Sequence, residues 1–211
     1  MAIAHDATTS VSGASGSSTN ITVAAGATFL LVHGIGSATN NLTAVSATAG
    51  GNAMTQIGSI VSGENKHFAL GLMSPPTGTV AIVITLTGDT DHLSRATTYT
   101  GSKTTGQPAQ NAQGSGTMNL TTASLTLAAD SWMIVGFRSG SATPTSADST
   151  IRTPSTNAIF TADGGPFTGA KTFTYDNGNS GNYMYTQIEL EVAPAATSGK
   201  NFPTLTLLGV G

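Results

Sequence analysis

Residues 79–87 constrain the fold of this chain more than any other stretch, because apolar and mostly polar or small residues alternate along them. The apolar positions are Val80, Ile82, Ile84 and Leu86. A period of two in β-branched residues is typical of a β-strand that buries one face. Two more strands are predicted just before it, at residues 53–61 and 66–74, with Gly and Pro in the intervening turns.

The rest of the sequence also favours strands. Residues 28–35 are apolar on both faces, which predicts a central strand covered on both sides. No apolar period of 3.6 residues persists over three helical turns. We therefore expect an all-β protein of about a dozen strands, the spacing that is typical of sandwiches and barrels.

The later part of the chain is predicted in less regular pieces. Residues 101–116 and 139–156 are polar and predict two long loops, and residues 157–161 predict a short strand. Residues 170–175 and 182–192 predict a hairpin across an Asp-Asn-Gly turn. We expect recognition surfaces, if present, to lie on the two long loops.

Composition narrows the function classes. Only 8% of the residues are charged, against about 25% in an ordinary globular protein. A weakly charged, hydroxyl-rich surface suits a protein that packs in an assembly. The net charge of −3 with no basic stripe argues against nucleic-acid binding.

Targeting and redox signals are also informative. The chain contains no cysteine, so disulfides and thiolate metal sites are not expected. No apolar run approaches the ~18 residues that span a bilayer. The first residues lack the pattern of a secretory signal, so we expect synthesis in a cytosol and no membrane partner.

Candidate catalytic and metal motifs are weak. His33-Gly34 follows an apolar strand and is similar to the turn that builds the oxyanion hole of α/β-hydrolases, but the required Gly-x-Ser-x-Gly elbow is missing. We therefore interpret His33 as an ordinary strand residue and expect no enzymatic activity. Asp89 with Asp91, and the oxygen-rich residues 176–179, would suit calcium. Because Asp and Asn also form turns, we predict neither a metal nor a cofactor.

The tyrosines of the last predicted strand are the candidate glycan-facing residues. Tyr183 and Tyr185 lie on the face opposite Met184 and Ile188, where exposed rings would stack on a saccharide. This leaves a carbohydrate-binding adhesion module as the alternative function. Glu189 and Glu191 alternate with apolar residues and predict a solvated strand face.

Several motifs together resemble a known group of proteins. The motif GGNAMT occupies residues 50–55, FALGL residues 68–72, PPTGT residues 75–79, and ATTYTG residues 96–101. They resemble β-sandwich proteins that are common in phage and bacterial genomes. The resemblance implies a jelly-roll-type virion or cell-surface module, and it transfers no catalytic residue to this chain. We expect one antiparallel β-sandwich of jelly-roll type over residues 1–194, followed by a linker and an apolar segment at 195–211.

The leading functional interpretation is a non-enzymatic virion structural protein, either a capsid decoration subunit or a tail or fibre component. Its expected partners are other virion proteins and copies of itself in a homotrimer, because such subunits match symmetric sites. The C-terminal segment is expected either to add a strand to its own sandwich or to bind the sheet edge of a neighbour as an assembly arm. Its apolar residues are Phe202, Leu205, Leu207 and Leu208.

Overall fold

The computed structural model of the chain describes residues 2–37, 42–62, 65–117, 119–139, 144–152, 159–176 and 182–195. These residues form β-strands and no helix. The strands are β1 (Ala4–Ser10), β2 (Gly13–Ala14), β3 (Ser18–Val23), β4 (Ala27–Ser37), β5 (Ala44–Ala49), β6 (Asn52–Ala53), β7 (Thr55–Ser62), β8 (Asn65–Met73), β9 (Gly78–Thr87), β10 (Asp91–Thr100), β11 (Asn111–Thr117), β12 (Leu120–Thr121), β13 (Leu125–Arg138), β14 (Thr150–Ile151), β15 (Ile159–Lys171), β16 (Thr174–Tyr175) and β17 (Asn182–Leu190).

The middle sheet has the strand order β1–β10–β4–β8–β7, and each neighbouring pair is antiparallel. Strand β4 lies at its centre. Phe29 and Leu31 pack into one core, Leu30 and Val32 pack into another, and none of the four is more than 1% exposed. The prediction that residues 28–35 form a central strand covered on both sides is therefore confirmed.

The N-terminal outer sheet, with the order β3–β9–β5–β6, covers one face of the middle sheet. Strand β9 buries every second residue against that face, as its alternation predicts. Gly78 starts β9 with a φ of 85°, a backbone conformation that glycine adopts without strain. This turn lets the chain leave β8 in the middle sheet and enter a different sheet.

The C-terminal outer sheet, with the order β11–β17–β13–β15–β14, covers the other face of the middle sheet. Ile134, Ile188 and Leu190 pack there against Phe29 and Leu31. On its far side an aromatic cluster includes Phe137 and Tyr175, whose ring centroids are 4.5 Å apart. Residues 4–100 build the middle and N-terminal outer sheets, whereas the strands of the C-terminal outer sheet, and the separate pair β12–β16, lie within residues 111–190.

The predicted fold class is confirmed: the chain is all-β, and antiparallel sheets pack face to face as in a β-sandwich. Three sheets are stacked, so the middle sheet takes part in two sandwich interfaces. The jelly-roll connectivity and the domain boundary at residue 194 stay predictions.

The predicted late hairpin is wrong. Strand β17 pairs with β11 and β13, whereas β16 pairs with β12. Tyr175 in β16 packs against Phe137 and Phe173 in the aromatic cluster. Burial of these rings therefore determines the partner of β16, and the local turn sequence does not.

The predicted loop at residues 101–116 is also wrong in its last part, because β11 lies there. Gly114 pairs with Tyr185 and Gly116 with Tyr183 across the ladder. A Cβ added to Gly114 would lie 2.7 Å from the Tyr185 ring, so the glycine leaves space for the ring to cover the strand backbone. Such cross-strand packing of an aromatic ring on glycine stabilises a segment with little intrinsic strand propensity.

The short strand predicted at residues 157–161 is in fact the long strand β15, which continues to Lys171. Gly164, Gly165 and Pro166 hide the strand pattern in the sequence, since Gly and Pro usually interrupt strands. In the structure Gly165 faces Trp132, and a Cβ at this position would overlap the indole ring. The small residue is required by close packing between β15 and β13.

Candidate functional site

A layer of polar side chains lies between the middle sheet and the C-terminal outer sheet. We call it the polar layer. All of its members are at most 8% exposed. It consists of His33, His67, Arg95, Thr97, Tyr99, Thr161, Asp163 and Thr186.

The histidines form one end of this layer. His33 Nε2 is 2.8 Å from Thr161 Oγ1, which is 3.0 Å from Thr97 Oγ1. His67 Nδ1 is 3.3 Å from Thr186 Oγ1, and the centroids of the two imidazole rings are 5.8 Å apart. These contacts connect β4, β8 and β10 of the middle sheet to β15 and β17 of the C-terminal outer sheet.

Burial keeps both imidazoles neutral. It lowers the pKa of His67 from its usual value to about 3. Burial also lowers the pKa of His33 well below its usual range, and the nearby His67 and Arg95 lower it further. Among the described residues, neither His33 Nδ1 nor His67 Nε2 has a hydrogen-bond partner. A proton on either ring would therefore introduce a buried charge that its surroundings do not stabilise.

Asp163 forms the other end of the layer. The Tyr99 hydroxyl donates a hydrogen bond of 2.9 Å to Asp163 Oδ2. Arg152 donates from Nε to both carboxylate oxygens, at 2.9 and 2.8 Å, and its Nη2 forms an ion pair with the same group. Burial, followed by the Asp163 charge, raises the pKa of the Tyr99 hydroxyl well above its usual value. The phenol thus stays protonated and keeps donating.

The polar layer connects two sheets. Arg95 Nε donates a 2.7 Å hydrogen bond to the carbonyl oxygen of Ile159, which adds a further link between β10 and β15. Gly136 on β13 leaves room for the His33 ring, because a Cβ there would overlap it. General acid–base catalysis requires a side chain within hydrogen-bond reach of a substrate. The groups of this layer instead lie within reach of one another, which suits a structural role.

A second candidate site is a groove beside Trp132, which we call the Trp132 groove. Its cavity volume is about 600 Å³, within the roughly 300–1,000 Å³ range of ligand pockets. It is lined by Ala2, Ile3, Asp130, Trp132, Pro166, Val192, Ala193 and Ala195. The Trp132 side chain is half-buried, and the pairing register of β13 with β15 shifts on both sides of Ser131. Such irregularities in a strand re-aim neighbouring side chains.

A smaller cavity of about 280 Å³ contains the predicted calcium candidates Asp89 and Asp91, together with His92. Asp89 Oδ1 accepts a 2.7 Å hydrogen bond from the Thr90 amide, and Asp91 Oδ2 accepts a 3.3 Å bond from the Thr90 hydroxyl. Such local bonds are typical of turn-forming Asp residues. Across the described ranges, no group of three or more His, Asp or Glu residues is placed to hold a metal ion. Most of the cluster at residues 176–179 lies outside the described residues.

The predicted glycan-facing tyrosines lie opposite Met184 and Ile188, as expected, but they do not form an exposed pair. Tyr185 is only 5% exposed, and its hydroxyl accepts a 2.8 Å hydrogen bond from the Ala123 amide. Tyr183 is half-buried against the aromatic cluster. Both rings cover the glycines of β11. Tyr185 therefore lacks an exposed ring face for stacking on a saccharide, and glycan binding by this pair stays a prediction.

The predicted solvated face at Glu189 is also wrong. Glu189 is 1% exposed and accepts hydrogen bonds from the Ala128 amide at 2.6 Å and from Gln110 Nε2 at 2.9 Å. These bonds hold β13, through Ala128, and the residue before β11, Gln110, against β17. Glu191, two residues further along the chain, is less buried and forms an ion pair with Lys103.

Sequence reasoning missed Asp163, Tyr99, Arg152 and the role of Trp132. One signal was present: Asp163 ends the run Ile-Phe-Thr-Ala-Asp at residues 159–163. A carboxylate that continues an apolar strand is usually paired when buried. The predicted arm residues Phe202, Leu205, Leu207 and Leu208 lie outside the described residues.

Comparison of the chain with protein families, curated proteins and solved structures gives no match. The described part of the chain has no helix that is long and apolar enough to cross a membrane.

Proposed function

We propose that the protein is a non-enzymatic structural subunit of a virion, either a capsid decoration protein or a tail or fibre component. The observation that carries this proposal is the composition of the N-terminal outer sheet. Its four strands, β3, β9, β5 and β6, contain no charged residue. Their exposed side chains include Asn20, Thr22, Ser46, Thr79, Thr85 and Thr87.

An uncharged, hydroxyl-bearing sheet face suits repeated contact with other subunits. Charges near such a contact would have to be desolvated or paired, whereas threonine and serine hydroxyls form hydrogen bonds at lower cost. The polar layer supports the non-enzymatic part of the proposal, since its titratable side chains bond to other buried side chains between two sheets. The resemblance of the sequence motifs to those of virion modules supports a virion as the assembly to which the chain belongs.

The partners that we propose are other virion proteins and further copies of this chain. A homotrimer fits best, because decoration and fibre subunits occupy symmetric sites. The virion is then the place where the protein acts, without nucleic-acid or membrane contacts.

Quantitative mass spectrometry of purified particles tests the proposal. We expect many copies of the chain per particle and loss of incorporation in the variant Thr85→Lys, which places a charge on the N-terminal outer sheet. The matched control is Thr126→Lys at an exposed position of β13. Both variants should have the same melting temperature. Absence of the chain from particles, or equal incorporation of both variants, would contradict the proposal.

The alternative, a carbohydrate-binding adhesion module, is favoured by the Trp132 groove rather than by the tyrosines. A half-buried indole in an open groove offers a flat surface for a sugar ring. Glycan-array binding by the intact chain that is lost in Trp132→Ala and retained in Tyr183→Ala would favour this alternative.

A further inference from the structure

Each half of the chain has an apolar core of its own. The cluster between the middle sheet and the N-terminal outer sheet is built from residues 7–96, and the aromatic cluster is built from residues 112–185. A smaller cluster around Phe29 and Ile134, with a group of three residues around Ile35, joins the two halves. Loss of this one interface would therefore leave both of the other cores in place.

The interface that joins the halves also contains the polar layer, in which His33 and His67 are 0% exposed. Both histidines belong to the middle sheet, and their imidazoles bond to Thr161 and Thr186 of the C-terminal outer sheet. Within the described part of the chain, one nitrogen of each ring has no hydrogen-bond partner. Buried polar groups that are only partly paired make an interface weaker than an apolar one of the same size.

Titratable and charged side chains face this interface from several strands. Besides the two histidines they are Arg95 and Tyr99 on β10, His5 on β1, Asp163 on β15, Arg152 after β14 and Arg138, which strand alternation places on the Gly136 face of β13. Asp163 is the carboxylate of this set, and Tyr99 and Arg152 bond to it. Its negative charge is thus engaged by these two partners.

The surroundings of the two imidazoles oppose a positive charge. Burial lowers the pKa of His33, and the neighbouring His67 and Arg95 lower it further. Burial lowers the pKa of His67 to about 3. A proton on either ring is therefore unfavourable while the sheets are docked, whereas an imidazole in water is protonated below about pH 6.5.

We propose that the C-terminal outer sheet undocks from the middle sheet on acidification, and that His33 and His67 take up the protons that drive the opening. Both halves keep their own cores in the open state. The sheet faces around Phe29 and Ile134 then become accessible, so the fold contains an interaction surface that acid controls. This proposal goes beyond the virion role and does not depend on it, because it concerns the isolated subunit.

The size of the response follows from the proton-binding equilibrium. Between about pH 7.5 and pH 5, each histidine that is neutral when docked and solvated when open favours the open state by about thirtyfold. His33 and His67 together therefore favour it by about a thousandfold. Global unfolding gains the same factor, so the open state, which keeps two cores, remains the more populated of the two.

Thiol labelling distinguishes opening from global unfolding, since the natural chain has no cysteine. Ala69→Cys places a thiol on the face of the middle sheet that the C-terminal outer sheet covers. Ala96→Cys places one on the face that the N-terminal outer sheet covers. Both alanines are 0% exposed, so Ala96→Cys is a matched control. The rate of labelling by a disulfide reagent is divided by that of the same variant unfolded in urea at the same pH.

We expect the normalised labelling rate of Ala69→Cys to rise by up to about a thousandfold between about pH 7.5 and pH 5. At pH 5 it should exceed that of Ala96→Cys by about tenfold or more. Addition of His67→Gln should reduce the rise by about thirtyfold. The rate for Ala69→Cys should also depend less steeply on urea, because opening exposes less surface than unfolding does.

A second pair of variants keeps the test decisive if Ala69→Cys does not fold. Thr97 and Thr98 are adjacent on β10, and both are 0% exposed. The Thr97 hydroxyl is 3.0 Å from that of Thr161 in the C-terminal outer sheet, whereas the Thr98 hydroxyl donates to Asp6 on β1. Thr97→Cys should then behave as the opening reporter and Thr98→Cys as its control.

Three results would overturn the proposal. Equal normalised rates for the reporter and its control at pH 5 would show that both faces become accessible only by global unfolding. A reporter rate that is constant between about pH 7.5 and pH 5 would show that acid does not open the interface. A rise that His67→Gln leaves unchanged would assign the response to other groups. Particle incorporation is a separate measurement, so failure of the virion role would not be confused with these results.

Discussion

Acidification should destabilise this protein through the two fully buried histidines of the polar layer. Burial lowers the pKa of His33 and His67, in the case of His67 to about 3. In the unfolded chain both rings have a pKa of about 6.5. Between these values the unfolded state binds protons that the folded state does not bind. Stability is therefore fully present above about pH 6.5 and falls as the pH is lowered towards the folded-state pKa.

The size of the effect follows from the proton-binding equilibrium. Lowering the pH from about 7.5 to about 5 stabilises the unfolded state by about 2 kcal/mol for each histidine that stays neutral when folded. His33 and His67 together should thus remove about 4 kcal/mol from the free energy of unfolding. Compared with a typical stability of about 5–15 kcal/mol, this is a large share. Carboxylates contribute little in this range, because their unfolded-state pKa values are about 4.

Urea unfolding at a series of pH values measures the effect, with the variant His67→Gln as the comparison. Glutamine has no proton to gain and can still bond to the Thr186 hydroxyl, which lies 3.3 Å from His67 Nδ1. We expect the loss of stability between about pH 7.5 and pH 5 to fall by about 2 kcal/mol in this variant. A free energy of unfolding that is constant over this range in the natural chain would refute the reasoning. If the free energy of unfolding of His67→Gln depends on pH as strongly as that of the natural chain, the reasoning is refuted for His67.

Two further predictions concern packing and charge, and both are read out by urea unfolding. Gly114→Ala should cost about 1–3 kcal/mol of stability, because the new methyl group meets the Tyr185 ring across the ladder. Ser115→Ala, at an exposed neighbouring position, should be nearly neutral. Equal costs in the two variants would contradict the packing argument. Arg152→Ala should cost about 3–5 kcal/mol, because it leaves Asp163 buried without its cation. Lys103→Ala should cost less than about 1 kcal/mol, because its ion pair with Glu191 is partly exposed to solvent. A comparable loss of stability in Arg152→Ala and Lys103→Ala would show that burial does not control the effect.

Local pattern was sufficient for the strands that bury apolar β-branched residues. The alternation in β9 and the two-sided apolar run in β4 predicted both strands and, for β4, its place between two layers. In these segments the side chains that form the core also define the strand. The all-β class could be predicted for the same reason.

The sequence was insufficient where a distant residue determines the structure. Strand β11 contains two glycines and little apolar character, and it is stabilised by tyrosines about seventy residues further along the chain. The predicted hairpin failed because β16 packs its tyrosine against Phe137. A turn sequence indicates only which local backbone conformation is favourable, whereas burial of side chains from distant parts of the chain determines which strands pair.

The candidate site shows the same limit. His33 was correctly placed in a strand, but its partner Thr161 is 128 residues away in sequence. Asp163 is joined to Tyr99 from another sheet. No short motif connects these residues, because the polar layer exists only once the two sheets have stacked.

The division of the sheets along the sequence has a consequence for synthesis. Residues 4–100 contain every strand of the middle and N-terminal outer sheets, so these can pair while the ribosome is still making the rest. At about 5–20 residues per second, the following ninety residues take roughly 5–20 seconds to appear. During that interval Phe29, Leu31 and Tyr99, which are at most 1% exposed in the finished protein, face water on a nascent chain. Neighbouring nascent chains on one messenger RNA would expose the same apolar sheet face to one another during that interval, which is when a chaperone would shield it.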